Sequence, residues 1–168
     1  MFRNNIEIGG HTMSPLGKRL SNFYARAFVM DGVRCAGFEG FVQSLKCADL
    51  VRQRQICGLT GAEAKKAGKP FNSWKTTQDL YWNKSVYKRT SRDYMLLITR
   101  VYDAIYEQNP DFREDLLALG NADIWHSIGN PDMSNTTLTE VEMLWQLERL
   151  RRRALQESMQ TLLTPHEQ

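Results

Sequence analysis

The sequence predicts an α+β fold, a single and largely helical domain with a small antiparallel sheet near its N-terminus. Three observations support this class. From residue 38 onward, apolar residues recur every three or four positions, as they do on one face of a helix. Before that point the apolar segments are short and alternating, with a turn signal at Asp31-Gly32. Finally, 168 residues suffice for one domain with its own core, and no repeat divides them.

The first 37 residues are predicted to form the sheet. Residues 6–8 read Ile-Glu-Ile and residues 27–33 read AFVMDGV, so short strands are expected in both places. A helix is expected next, continuing through the segment ADLVRQRQICG and ending at Gly58. The chain is therefore expected to change from strands to helices near residue 37.

This first helix carries a polar strip. Glu39, Gln43 and Lys46 are spaced by four and three residues, so helical geometry brings them together beside an apolar face. On geometry alone, such a strip is more often a solvated surface than a site, since an exposed ion pair contributes under ~1 kcal/mol. The spacing by itself leaves both interpretations open.

Cap and stop signals define the next helices. Thr60 and Glu63 have the spacing of a capping box, which predicts a short helix that Gly68 closes. A similar signal at Thr76 indicates the start of another helical region, with apolar positions recurring every three or four residues over 86–105. This central helix is expected to stop at Asn109-Pro110, because proline disfavours helix at the preceding residue.

The C-terminal third is predicted to be a short helix, a long loop and a last helix. The short helix covers residues 111–120, and the loop covers residues 121–137, a length that often indicates function. The last helix runs from Thr139 to about Ser158, and residues 159–168 are expected to fray. The domain is thus expected to span residues 1–158. The residues expected to face inward are Val141, Leu144 or Trp145, and Leu147 or Leu150.

Composition excludes several classes of protein. The N-terminus has no apolar segment typical of a secretory signal, and no apolar run approaches the ~20 residues needed to cross a membrane, so a cytoplasmic protein is expected. Cys35, Cys47 and Cys57 form an odd set without CxxC spacing, which favours reduced thiols over disulfides or zinc. With no P-loop, no GxGxxG motif and no metal-ligand spacing, neither a cofactor nor a metal is expected.

Several sequence blocks, taken together, resemble the NADAR superfamily (NAD- and ADP-ribose-associated, also called YbiA-like). Ser21-Asn22-Phe23 is similar to the S-N-F triplet of that family. Glu39, Gln43 and Lys46 are similar to its E-x-x-x-Q-x-x-K helix. The similarity covers residues 19–153 in the expected order, which is far more specific than any one block.

Further blocks extend the resemblance, with some departures. Lys65 lies in a segment similar to the family's A-K-x-x-G-[RK] helix end, whereas Gly40 stands where the family often has histidine. The family's D-x-x-W-G-x-G loop is not found as such, and Asp132 is the best match to its aspartate. The family's tryptophan corresponds to Trp74 or Trp82, and the spacing to the central helix favours Trp82.

The resemblance implies an N-glycosidase. Members of the family either remove ADP-ribose from modified guanine in nucleic acid or hydrolyse an early riboflavin-pathway intermediate. We expect the first activity, as the reversal of a toxin or defence modification in a phage or a bacterium. The alternatives are the riboflavin-pathway reaction and a binding protein that sequesters ADP-ribose or another NAD-derived ligand without turnover.

Glu39 and Lys46 are the expected catalytic residues. In one mechanism Lys46 attacks the anomeric carbon and forms a Schiff base while Glu39 transfers protons. In the other, Glu39 activates water and Lys46 only binds a phosphate or a hydroxyl group. Phe23 or Trp82 is expected to stack on the base. The residues expected to bind the substrate are Asn22, Phe23, Gln43, Lys65, Trp82 and Asp132.

Overall fold

A computed structural model describes residues 4–163, over which eight helices and six short strands follow one another. The predicted α+β class is confirmed. The strands are β1 Asn5–Glu7, β2 Phe28–Met30, β3 Val33–Cys35, β4 Asp79–Trp82, β5 Ser85–Lys88 and β6 Asp123–Trp125. The helices are α1 Pro15–Arg19, α2 Phe38–Ser44, α3 Leu50–Cys57, α4 Gly61–Gly68, α5 Trp74–Thr77, α6 Arg92–Gln108, α7 Pro110–Ala118 and α8 Glu140–Leu163. Within residues 4–163, no helix is both long and apolar enough to cross a membrane.

The strands pair two by two. β2 and β3 form the predicted antiparallel hairpin, with Asp31 and Gly32 at φ values of 50° and 75° in its turn. β1 pairs in parallel with β6, so that Glu7 lies opposite Trp125. The prediction of a loop over 121–137 is therefore wrong for β6, because its sequence, Asp-Ile-Trp, does not alternate between apolar and polar residues.

A second antiparallel hairpin, β4–β5, replaces the helix expected to start at Thr76. Its two-residue turn is formed by Asn83 and Lys84, both with positive φ. Val86 lies on this hairpin and is 60% exposed, whereas the central helix α6 begins only at Arg92. Lysine is not a usual residue at positive φ, so this turn has no ordinary sequence signal.

The helix predicted over 38–58 is two helices, α2 and α3. Asp49 begins α3 as its N-cap and accepts a hydrogen bond from the Arg52 backbone N–H at 2.7 Å. The buried Gln53 amide holds the intervening turn by donating to the carbonyl groups of Cys47 and Tyr81, at 3.1 and 2.8 Å. As a result α2 ends at Ser44, and the following residues turn away from its axis.

Gly40 allows α2 to lie against the end of α3. A Cβ atom at this position would sit 2.2 Å from the Leu59 carbonyl oxygen and 3.0 Å from those of Ile56 and Cys57. Backbone atoms cannot swing aside as a flexible side chain can. A histidine at this position, common in the family that the sequence resembles, would therefore not fit the helix packing seen here.

The short helices α4 and α7 lie where they are predicted. Thr60 is the N-cap of α4, but its side chain makes no capping hydrogen bond, so the predicted capping box is wrong in that detail. Pro110 occupies the first turn of α7, where its missing N–H is tolerated, and therefore both ends α6 and begins α7.

Helices α6 and α8 form the centre of the core. The inward prediction is confirmed for Leu147 and Leu150, whereas Val141 and Trp145 are 75% and 51% exposed. α8 continues to Leu163, beyond the predicted end, because no glycine or proline interrupts it. The last part of the predicted frayed segment, residues 164–168, lies outside the described residues. Core side chains of α6 include Tyr94, Leu97, Ile98, Val101, Tyr102 and Ile105.

Candidate active site

A cavity of about 670 Å³ lies between α2, α4 and the start of α8. Its volume is typical of pockets that hold small molecules and cofactors. Phe38, Val42 and Met143 line it with apolar surface, and polar groups from four other segments complete the wall. These segments are the turn after α1, the loops that follow β1 and β6, and residues 135–140.

The parallel pairing of β1 and β6 creates one side of the cavity. Because the two strands run in the same direction, the chain leaves both at the same edge. Residues 8–11 and residues 126–130 therefore lie next to each other, although they are far apart in sequence, and both segments contribute to the cavity. This crevice at the carboxyl ends of parallel strands is a common position for ligand sites in α/β sheets.

The polar strip of α2 forms a chain of hydrogen bonds. The Gln43 Nε2 group donates to Glu39 Oε1 at 2.8 Å, and Lys46 Nζ donates to Gln43 Oε1 at 2.6 Å. Glu39 is only 8% exposed and Gln43 only 7%. Glu39 and Gln43 line the cavity. The helical spacing in the sequence thus brings these three residues into contact, as expected.

Burial shifts the pKa values of Glu39 and Lys46, in each case in the direction that favours the neutral form of the group. Loss of hydration raises the pKa of Glu39, an effect that the hydrogen bond from Gln43 and the charges of Lys65 and Lys46 only partly offset. Loss of hydration likewise lowers the pKa of Lys46, against the attraction of Glu39. A carboxyl group with a raised pKa is suited to take up and return a proton near neutral pH.

Asn22, Phe23 and Lys65 form a second wall beside Glu39. The buried Tyr102 hydroxyl donates to Asn22 Oδ1 at 2.8 Å, which leaves the side-chain NH₂ of Asn22 for a ligand. Phe23 is 39% exposed, and Lys65 Nζ lies 5.8 Å from the centre of its ring. An accessible aromatic face next to a cation can hold a planar base or an anionic group.

His11 and His126 form the wall at the carboxyl ends of β1 and β6, with ring centres 5.9 Å apart. The Nε2 atom of His11 is 2.7 Å from Glu7 Oε1 and 3.0 Å from Ser127 Oγ. The Ser127 hydroxyl also donates to Glu7, and these bonds lower the pKa of that carboxyl. Sequence reasoning missed both histidines, since only the pairing of two very short strands brings them together.

Three of the predicted site residues do not line the cavity. Lys46 lies behind Gln43, in the turn that follows α2. Trp82 is 2% exposed in the core, where its ring packs edge-on against Phe41 with centres 4.8 Å apart, so it has no free face for stacking. Asp132 lies in an exposed turn, and Trp74, the other tryptophan considered, is also buried.

Asp132 orders the loop that carries part of the cavity wall. Its carboxylate accepts hydrogen bonds from the Ser134 N–H at 2.9 Å and from Asn135 Nδ2 at 2.6 Å. These bonds lower the pKa of Asp132. Because Asn135 lines the cavity, these bonds connect Asp132 to the cavity wall, although Asp132 itself does not line it.

Gly68 makes room for Gln43. A Cβ atom at residue 68 would lie 2.2 Å from Gln43 Oε1 and 2.9 Å from its Cβ. We expect Gly68→Ala to displace the Gln43 amide and to weaken ligand binding about tenfold, since the hydrogen bond to Glu39 is lost. Calorimetric titration with ADP-ribose, the ligand that the family resemblance implies, measures this effect.

Gly58→Ala is the matched control for Gly68→Ala. A Cβ atom at residue 58 would meet its nearest neighbour, the Gln55 carbonyl oxygen, at 3.4 Å, an ordinary contact. Equal affinities of the two variants would contradict the proposed role of Gly68.

Among residues 4–163, no group of three or more His, Cys, Asp and Glu side chains is arranged to hold a metal ion. Cys35, Cys47 and Cys57 are free and buried. The cavity itself offers carboxyl, amide, amine and imidazole groups, from Glu39, Gln43, Lys65 and His11 respectively.

Comparisons with known proteins identify a family, a relative and a similar fold. The family model described as bacteriophage protein GP30.3 matches residues 15–152. A protein of enterobacteria phage T4, described as an uncharacterized 17.1 kDa protein in the Gp30–rIII intergenic region, is 36% identical over 133 residues, covering 79% of this chain and 88% of the relative. The NMR structure of the E. coli protein YbiA is similar in fold, with a TM-score of 0.63, 19% identity and coverage of 99% of this chain and 92% of that one.

Proposed function

The chain belongs to the bacteriophage protein GP30.3 family, which is of the NADAR type, and on this premise we propose that it is an N-glycosidase. The proposed reaction removes ADP-ribose from ADP-ribosylated guanine in nucleic acid. The observation that carries the proposal is the buried Glu39 carboxyl group, held by Gln43 and facing a cavity of about 670 Å³. The proposed substrate would place the enzyme in the cytoplasm.

In the proposed reaction, Glu39 activates water. Its carboxylate takes a proton from the water molecule, whose oxygen bonds to the anomeric carbon of the ribose. The C–N bond to guanine breaks, its electron pair moves to the guanine nitrogen, and that nitrogen receives the proton held by Glu39. The raised pKa of Glu39 supports both steps, because it strengthens the base and still allows the proton to be returned.

Lys46 has a positioning role in this mechanism. A Schiff base would require its amine to pass Gln43 and enter the cavity, whereas the observed hydrogen bond to Gln43 Oε1 holds it outside. That bond fixes the Gln43 amide with its NH₂ group toward Glu39. We therefore propose the water mechanism, with Lys46 orienting Gln43 and adding positive charge near the carboxylate.

The cavity offers separate surfaces for the two ends of the ligand. Phe23 is the proposed stacking surface for a base, with the Asn22 amide beside it. Lys65, His11 and His126 are the proposed contacts for the phosphates, since they supply cationic or N–H donor groups around the opening. This division supports a nucleotide-sized ligand over a small sugar.

The role of Lys65 is testable by its removal. We expect Lys65→Ala to raise the dissociation constant for ADP-ribose about tenfold, because one charge-assisted contact to phosphate is worth roughly 1.5 kcal/mol. Lys66→Ala is the matched control, since Lys66 is exposed on the same helix and does not line the cavity. Calorimetry at constant ionic strength compares the two, and equal affinities would argue against phosphate contact by Lys65.

The proposed activity itself is tested by mass spectrometry. Wild-type protein is incubated with an oligonucleotide that carries ADP-ribosylated guanine, and free ADP-ribose together with the restored guanine is the expected result. A second candidate, sequestration of an ADP-ribose ligand, is favoured by the position of Lys46 outside the cavity. If the protein binds ADP-ribose tightly but releases none from the oligonucleotide, sequestration is supported. If it neither binds ADP-ribose nor releases it, the small riboflavin-pathway intermediate is the remaining candidate substrate.

A further inference from the structure

The outward face of α8 carries a regular seam of side chains. Starting at Val141, its positions are separated alternately by four and three residues over three heptads. This spacing is that of a coiled-coil contact surface. The seam residues are Val141, Trp145, Glu148, Arg152, Leu155, Met159 and Leu162.

The seam is opposite the face that α8 buries in the core. At 100° per residue it lies on the other side of the helix from Met143, Leu147 and Leu150, which are at most 5% exposed. Its five apolar members are large and solvent-exposed. Their exposed fractions are 75% for Val141, 51% for Trp145, 40% for Leu155, 63% for Met159 and 84% for Leu162.

Such a seam is unusual on a surface that only meets water. Scattered exposed apolar residues need no explanation, but large apolar residues at heptad spacing on both sides of two oppositely charged residues indicate contact with another helix. The seam follows one straight helix for about 32 Å, at a rise of 1.5 Å per residue. The partner that fits it is therefore another long helix with the same spacing.

We propose that α8 pairs with α8 of a second copy of this chain, in antiparallel orientation around a two-fold axis near Leu150. In this register Val141 faces the partner's Met159, and Trp145 faces the partner's Leu155. Glu148 faces the partner's Arg152, and two-fold symmetry repeats every pair. The apolar pairs then flank two central pairs of opposite charges.

The two charged positions select this arrangement. In a parallel pair, Glu148 would face the partner's Glu148, and Arg152 would face the partner's Arg152. Both central contacts would then be repulsive. An antiparallel pair shifted by one heptad would place Glu148 against Met159 and Arg152 against Leu155, leaving both charges beside apolar groups. Arg152 is exposed. Glu148 also forms a salt bridge of 2.7 Å with Arg151 of its own helix, and this bond is the same in the parallel and in both antiparallel arrangements.

Sedimentation equilibrium measures the proposed assembly. The wild-type chain is expected to reach twice its mass of 19.4 kDa at micromolar concentration. Met159→Glu is expected to raise the dimer dissociation constant at least about tenfold, because it places a charge against the partner's Val141. Ser158→Glu is the control, since Ser158 is exposed on the same turn of α8 but lies outside the seam. Circular dichroism verifies that both variants are folded.

A charge exchange tests the register. Arg152→Glu alone is expected to weaken the dimer about tenfold, since it opposes the partner's Glu148. Adding Glu148→Arg to the same chain restores opposite charges and is expected to recover most of the affinity. A double variant weaker than the single one would overturn the proposed register.

Cysteine cross-linking tests the orientation. A mixture of Val141→Cys chains and Met159→Cys chains is expected to give a mixed disulfide-linked dimer, while each variant alone gives none. The three native cysteines are buried and contribute little background. A monomer at all concentrations, a dimer unaffected by Met159→Glu, or efficient cross-linking of Met159→Cys with itself would each overturn the proposal.

Discussion

Glu39→Gln is expected to lower the rate of ADP-ribose release by roughly 10³-fold, because it removes the general base of the proposed reaction. The amide is similar in size to the carboxylate, and its oxygen can still accept the hydrogen bond from Gln43 Nε2, which is 2.8 Å long in the wild type. The fold and the affinity for ADP-ribose should therefore change little. The loss should appear in the rate of release and not in binding.

Quenched-flow assays with mass-spectrometric detection measure this rate. Glu63→Gln is the matched control, because Glu63 is an exposed carboxylate of α4 that does not line the cavity. Release by Glu39→Gln within threefold of the wild type would contradict the role of Glu39 as the base. A protein–sugar adduct trapped on Lys46 by borohydride would contradict the water mechanism and favour the Schiff base.

The same role has a signature in the pH dependence of the wild type. Glu39 must be ionised to act as a base, and its pKa is raised above the ordinary value of 4.5. The rate should therefore rise with pH through that raised pKa and be lost as the pH falls below it. Lys65→Ala removes a positive charge that stabilises the Glu39 carboxylate. It should therefore raise the pKa of Glu39 further, and the rise of the release rate should occur at higher pH than in the wild type.

Arg89→Met is expected to reduce the free energy of unfolding by about 3–5 kcal/mol, since it leaves a buried charge without its partner. Arg89 is fully buried, and its guanidinium group donates to both Glu142 carboxylate oxygens at 3.0 and 2.6 Å. It also donates to the Thr136 carbonyl oxygen at 2.7 Å. This one side chain joins the end of β5 to the cavity wall and to the start of α8.

Urea unfolding followed by circular dichroism measures this loss. Arg92→Met is the control, because Arg92 is exposed at the start of α6, and it should change the stability by less than about 0.5 kcal/mol. Combining Arg89→Met with Glu142→Gln removes the carboxylate charge that Arg89→Met leaves unpaired, and the amide oxygen can still accept the hydrogen bond from the Thr139 N–H. The double variant should therefore be more stable than Arg89→Met alone. A loss below about 1 kcal/mol for Arg89→Met would show that water reaches Glu142.

Local signals predicted the parts of the fold that depend on local contacts. Asp31-Gly32 indicated the β2–β3 hairpin, and helical spacing indicated the contacts among Glu39, Gln43 and Lys46. Spacing could not show on which side of Gln43 the amine of Lys46 would lie. That depends on the turn after Ser44, which the N-cap at Asp49 imposes.

The features that the sequence could not predict depend on one turn of unusual sequence and on one long-range strand pairing. Trp82 became a core residue because it lies on the β4–β5 hairpin, whose turn at Asn83 and Lys84 has no usual signal. His11 and His126 entered the cavity because β1 pairs with β6. The sequence indicates a strand near β1 but none at β6, and no local signal shows that these two segments pair. Family resemblance indicated Glu39 as a site residue, but it carried no information about these histidines.

The β1–β6 pairing also bears on the order in which the protein folds during synthesis. Asn5 pairs with Asp123, so the N-terminal strand must wait for more than a hundred residues before its partner leaves the ribosome. The hairpins β2–β3 and β4–β5 and the helices between them can form earlier from local contacts. The wall that carries His11 and His126 therefore cannot close until β6 has emerged, and nascent chains that end before residue 123 have an open crevice in place of this wall.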